Sequence, residues 1–180
     1  MIVIGIDPSS TSTGYGLIDA DQRQTRYLDC GCIRPPIHTS FEDRLVFLYD
    51  NLTELIKVNQ PDEAAVESTF FGKDAVAAFK LGQARGVLLL ALRQAGLPIS
   101  HYTPATVKKA IAGNGQATKD QVRYMIVQML QLKEVPKPLD ASDALAISLC
   151  HIHQDKFRSL GTSVQRKPEI EALLKRVVRR

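Results

Sequence analysis

Four carboxylates stand where the chain can bring them together. Asp7 closes a short β-branched run that begins at Met1, and Glu67 closes a second short run, Glu63 to Glu67. If those two strands are parallel neighbours, their ends lie ~4.8 Å apart and the two carboxylates can share an ion. Ligand sites in open α/β sheets lie outside the carboxyl ends of strands. Asp140 and Asp143 are three apart at the start of a helix, so both project from one face. Four such groups repel by on the order of a few kcal/mol per pair at ~4 Å near a protein surface. They make sense as a set around hard divalent cations. All-oxygen ligation suits Mg²⁺ or Mn²⁺ and does not suit zinc. Two such ions ~3.5–4 Å apart activate a water and stabilise the leaving oxygen of a phosphodiester.

Each residue also has a plainer reading. Asp7 precedes Pro8 and could be a turn residue; Glu67 could sit at an exposed strand end. Asp140 at an N-cap with Asp143 at N3 makes a good helix start by itself, because the helix dipole favours both charges. Lys119 follows a Thr118 cap, in a first turn whose free N–H groups suit a phosphate. A cation is disfavoured there, which points to another job for it; the alternative is an ordinary exposed lysine. Phe70 and Phe71 are adjacent, so one can be core while the other stacks on an unpaired base, or both can be core. His151 and His153 are two apart on a helix and do not face each other, so they read as packing or surface residues.

The elements that must position the acids follow from periodicity. Met1 to Asp7, Gly14 to Ile18 and Thr25 to Ile33 read as three strands in quick succession, an antiparallel meander. Ser40, with Asp43 three residues on, opens a helix whose Phe41, Leu45, Leu48, Leu52, Leu55 and Ile56 keep helical spacing. Pro61-Asp62 ends it before Glu63 to Glu67. A long helix is expected over Asp74 to Gln94, with Gly82 and Gly86 four apart, then a strand over Ile99 to Tyr102. Pro104 starts a short helix to Ile111. Thr118 and Gln121 form a capping box for a helix ending near Leu132, and a last helix runs from Asp140 to about His153. The expected fold is α/β, a mixed five-stranded sheet flanked by helices. Its expected division is an α/β body over 1–154 and a basic tail over 155–180.

The 180 residues carry a net charge of +4, with 44% apolar and 23% charged residues, as in ordinary soluble domains. Where the charge lies is more informative. Residues 1–72 hold 5 basic and 11 acidic side chains, and residues 73–123 hold 8 and 2. Residues 155–180 hold 8 and 3. Basic blocks beside an acidic one suit a polyanion facing a site that collects carboxylates; a solvated surface with a basic tail is the plainer alternative. The longest apolar run, Val87 to Leu92, is short for a membrane span, and no membrane partner or signal peptide is expected. Cys30 and Cys32 are expected on opposite strand faces, and all three cysteines as reduced thiols in a cytoplasmic protein.

Taken in order, several blocks carry a resemblance. They are Gly5-Ile6-Asp7-Pro8 with Thr13-Gly14-Tyr15-Gly16, Glu67 through Phe70, and Lys80-Leu81-Gly82-Gln83-Ala84-Arg85-Gly86. Gly113 to Val122 and Asp140-Ala141-Ser142-Asp143-Ala144-Leu145-Ala146 complete the set. From Met1 to about His153 the chain resembles the RuvC family of crossover junction endodeoxyribonucleases. The resemblance implies an RNase H-like fold, a homodimer, and symmetrical cutting of four-way DNA junctions in recombination and repair. It implies that Asp7, Glu67, Asp140 and Asp143 are catalytic acids holding two Mg²⁺ per subunit, with Mn²⁺ able to substitute. It places Lys108 and Lys119 near the cleaved strand, Phe70 as a stacking aromatic, and a junction branch-migration complex as partner. Ser9 stands where the family usually has glycine, and Ser68-Thr69 where it usually has Gln-Val. A nucleotide-binding module of the actin and sugar-kinase type opens with a similar strand and loop, but it binds ATP between two domains, for which 180 residues leave no room. A non-catalytic nucleic-acid scaffold would use the same acids only as caps and turns. Calorimetry with ATP separates the first alternative, and metal-dependent cutting the second.

Overall fold

The computed structural model describes residues 1–21, 24–68 and 74–162. Strands β1 (Ile2–Asp7), β2 (Thr13–Ala20) and β3 (Thr25–Ile33) pair antiparallel as a meander. The chain then passes through α1 (Phe41–Asn59) to β4 (Glu63–Glu67), parallel to β1, and through α2 (Ala75–Gln94) to β5 (Ile99–Tyr102), parallel to β4. The sheet order is β3-β2-β1-β4-β5, the mixed five-stranded arrangement expected. Helices α3 (Pro104–Ala112), α4 (Lys119–Met129) and α5 (Leu139–Thr162) follow.

The central strands β1 and β4 are buried on both faces, which is why their interiors read as continuous apolar runs. Alternation sends Val3 and Ala65 toward α3, α4 and α5, and Ile4, Ile6, Ala64 and Val66 toward α1 and α2. The starts of the helices are written in the sequence. Ser40 Oγ accepts from the Asp43 N–H, and Thr118 and Gln121 form the reciprocal capping box. Thr103 caps α3 ahead of Pro104. The ends are less legible. Helix α4 stops at Met129 rather than near Leu132, because Gln131 takes a positive φ of 52°. Helix α5 runs past His153 to Thr162, since no breaker interrupts it before Gly161.

Two glycines set how closely α5 approaches the sheet. A Cβ at Gly5 would collide with the Ala144 carbonyl, and one at Gly14 with the Asp140 carbonyl. Their absence lets the helix backbone lie directly on β1 and β2, which carries the start of α5 to the end of β1. Cys30 and Cys32 share the α5 face, contrary to expectation, because a strand repeats every two residues. Cys30 packs in the α5-side core, and the Cys32 thiol meets Ser12 and the Ala141 backbone. All three cysteines are free thiols. His151 is a buried packing residue, linked to the Tyr102 hydroxyl and to Glu63, each at 2.8 Å.

Candidate metal centre

β1 and β4 end side by side. Ile6 pairs with Val66, so Asp7 and Glu67 emerge together at the strands' carboxyl ends, on the face covered by α5. Helix α5 brings the other two acids. It starts at Leu139, so Asp140 is inside the first turn rather than at a cap. Its carboxylate accepts a 2.6 Å hydrogen bond from Ser12 Oγ, across 128 residues of sequence. Asp7, Asp140 and Asp143 each offer an oxygen, and these atoms lie within 4.8 Å of one another. Glu67 lines the same cleft, a cavity of about 230 Å³, with Asp7, Asp143, Lys108 and Lys119. Val107, Val122 and Ala146 form its apolar part, which lowers the local dielectric and strengthens every charge interaction there.

The electrostatics are those of a cluster short of positive charge. The Asp7 carboxyl is pushed from 3.8 up to about 7, first by burial, then by Glu67, Asp143 and Asp140, with Lys119 opposing. Burial, and after it Asp143, also raises Glu67, while Lys119, a hydrogen bond with Asp7, and Lys108 hold it down. Lys119 Nζ donates to Asp143 Oδ2 at 2.7 Å. That bond is the main reason the ammonium holds its proton above the ordinary lysine range. The cation disfavoured by its own helix dipole is therefore offset by a carboxylate from another helix. All donors are hard oxygens, they converge from three separate segments, and one prefers to keep a proton near neutrality. This donor set fits a divalent cation of the Mg²⁺ or Mn²⁺ class.

The structure gathers Asp7, Glu67, Asp140, Asp143, Lys108 and Lys119 at one place, while Phe70 lies outside the described residues. Sequence reasoning missed three neighbours. Arg123 reaches Asp143 Oδ1 at 3.8 Å and Asp120 at 3.2 Å, with only 13% of its side chain exposed. Its place one turn after Lys119, on the same face of α4, was a usable signal. Ser12 and Arg34, whose Nε donates to Ser12 Oγ at 3.3 Å, gave none, because their link to Asp140 is wholly tertiary.

Comparisons with known proteins agree with this geometry. The model of the family described as "Crossover junction endodeoxyribonuclease RuvC" matches residues 3–151. The RuvC protein of Desulfitobacterium hafniense is 46% identical over 153 residues, spanning 85% of this chain and 93% of that one. That of Moorella thermoacetica is 47% identical over 151 residues, spanning 84% and 90%. Among solved structures, T. thermophilus RuvC in complex with a Holliday junction substrate superposes with a TM-score of 0.82 at 34% identity, covering 87% of this chain and 96% of that one. The five-stranded sheet with its flanking helices is thus the RNase H-like resolvase fold. Matched over most of its length by the family's model and by relatives this similar, the chain belongs to the RuvC family of crossover junction endodeoxyribonucleases.

Proposed function

We propose that this protein resolves four-way DNA junctions by paired phosphodiester hydrolysis, with Asp7, Glu67, Asp140 and Asp143 holding two Mg²⁺ per subunit and Mn²⁺ able to replace them. The observation that carries the reading is the convergence of these acids in a buried place, where burial first, then Glu67, Asp143 and Asp140, push Asp7 up to about 7. Such a cluster is built for cations, and it lies in a cleft flanked by lysines. When bound, the ions supply an activated water and charge stabilisation for the departing oxygen. The chain's own groups do the rest. Asp7 and Glu67, fixed on the sheet, and Asp140 and Asp143, fixed on α5, set the geometry. Lys119 keeps its proton and offers positive charge to a phosphate entering the cleft, and Lys108 does so from the α3 side. Phe70 follows Glu67 closely in sequence and stacks on a base opened at the junction.

A four-way junction has two-fold symmetry, and a two-fold dimer presents two identical sites to it. Helix α2 is the surface for that dimer. Val76, Phe79 and Leu90 on it are 65%, 68% and 51% exposed, and there is open space beside Gly82 and Gly86. The helix is long and apolar enough to pass as a membrane span by length and composition. Its other side, however, packs Ala84, Leu88, Ala91 and Leu92 into the core. A dimer face explains both sides. The enzyme works on chromosomal DNA in the cytoplasm, in recombination and repair, alongside a complex that migrates the junction. Incubation with a synthetic four-way junction tests the reading: cutting in Mg²⁺, none in EDTA, and little cutting of linear duplex under either condition.

A further inference from the structure

The loop that follows Asp7 is organised around Ser9. Ser9 Oγ accepts from the N–H groups of Thr11 and Ser12 at 3.2 and 3.3 Å, and shares a hydrogen bond with Thr11 Oγ1 at 3.2 Å. Thr13 Oγ1 donates to the Ser9 carbonyl at 2.6 Å and accepts from the Ser9 N–H at 3.2 Å. These bonds fix the backbone of Ser12. The Ser12 hydroxyl has one proton to give, and gives it to Asp140 Oδ2 at 2.6 Å, a short charge-assisted bond. Arg34 Nε donates into the same hydroxyl at 3.3 Å, which polarises it toward the carboxylate. Among the described residues, Asp140 Oδ1 takes no hydrogen bond.

We propose that Ser12, held by Ser9 and backed by Arg34, is the positioning residue for Asp140: it occupies one carboxylate oxygen and leaves the other free to hold a divalent cation. The inference rests on reading Asp140 as an ion ligand. Hydrogen-bonding partners of a ligating carboxylate change metal affinity by on the order of 10–100-fold. Mg²⁺ demands near-ideal octahedral geometry, so a carboxylate restrained to one donor atom suits it better than one free to chelate. The arrangement also couples two acids, because the loop that carries Ser12 leaves directly from Asp7.

The test is Mn²⁺ binding to the full chain by calorimetry, for the wild type, Ser12→Ala, Ser12→Thr, Asp140→Asn and the Ser12→Ala/Asp140→Asn double variant. Ser12→Ala is expected to weaken binding about tenfold, and Ser12→Thr, which keeps the hydroxyl, to stay within about twofold of wild type. Melting in EDTA is expected to be unchanged, and the double variant to bind no more weakly than Asp140→Asn alone. Wild-type affinity in Ser12→Ala, with Asp140→Asn impaired, would overturn the role of Ser12. So would Ser12→Thr failing as badly as Ser12→Ala, or a further loss in the double variant. Undiminished binding by Asp140→Asn would instead remove Asp140 from the ligand set, and this inference with it.

Discussion

Replacing Asp7 with Asn should make the metal-free protein more stable, and more so at pH 8 than at pH 5. The native carboxyl sits at about 7, against 3.8 when unperturbed. Its stabilising contribution is therefore complete below pH 3.8 and is lost as pH rises through about 7. At pH 8 the native protein must carry an ionised group that burial, Glu67 and Asp143 all disfavour, at a cost of roughly 4 kcal/mol relative to an unperturbed carboxylate. At pH 5 the native group is protonated while the unfolded one is ionised, and the cost is roughly 1.5 kcal/mol. Asn titrates in neither state, so its advantage at pH 8 should exceed that at pH 5 by about 2.5 kcal/mol. For a domain of this size that is a difference of roughly 5–10 °C in melting shift. Thermal unfolding by circular dichroism, in EDTA at both pH values, measures it. An advantage that is equal at the two pH values, or larger at pH 5, would refute the electrostatic account of the cluster. In saturating Mg²⁺ the order should reverse, because the wild type alone keeps the full ligand set.

Glu67→Gln, Asp140→Asn and Asp143→Asn should each slow junction cutting by on the order of 100-fold or more while leaving junction binding nearly intact; single-turnover rates and gel-shift titrations read the two effects. Lys119→Ala should slow cutting of saturated junction by on the order of 100-fold with a smaller loss of binding, the pattern of a group that acts on the reacting phosphate. Removing residues 163–180, which carry Arg166, Lys167, Lys175, Arg176, Arg179 and Arg180, should weaken junction binding at moderate salt. It should also flatten the salt dependence by about 0.9 in log–log slope for each phosphate that the tail no longer neutralises, with the cutting rate unchanged; identical slopes would rule out a phosphate-binding tail. Phe79→Glu with Leu90→Glu should yield a monomer by light scattering, and a persistent dimer would place the interface elsewhere.

Asp7 and Glu67 were legible as a pair because each ends a short strand, Asp7 after a β-branched run and Glu67 after the apolar Ala64-Ala65-Val66. Their partnership needed β1 and β4 to be parallel neighbours, which the crossover through α1 provides. Asp140 and Asp143 were ambiguous, since an acid pair three apart also starts a helix well. In three dimensions Asp140 lies inside the first turn of α5, bonds to Ser12, and comes within reach of Asp7 and Asp143. What no local pattern could supply is the packing of α5 on Gly5 and Gly14, and with it the Ser12 and Arg34 contacts. Helix starts were legible because caps are short-range chemistry. The end of α5 was not, because between His153 and Thr162 nothing but Gly161 marks a stop. The face assignment of Cys30 and Cys32 failed through a miscounted strand period rather than any missing information.

Symmetric cutting of junction strands by the clustered acids and divalent ions is open to a strand-by-strand measurement. A four-way junction labelled in turn on each of its four strands, incubated with the protein and resolved on a denaturing sequencing gel, tests it most directly. Nicks are expected at matching positions in two strands of like polarity, sealable by ligase, present in Mg²⁺ or Mn²⁺, and absent in EDTA or with Asp143→Asn. Nicks that persist in excess EDTA, or that fall at unrelated positions on the four strands, would contradict it.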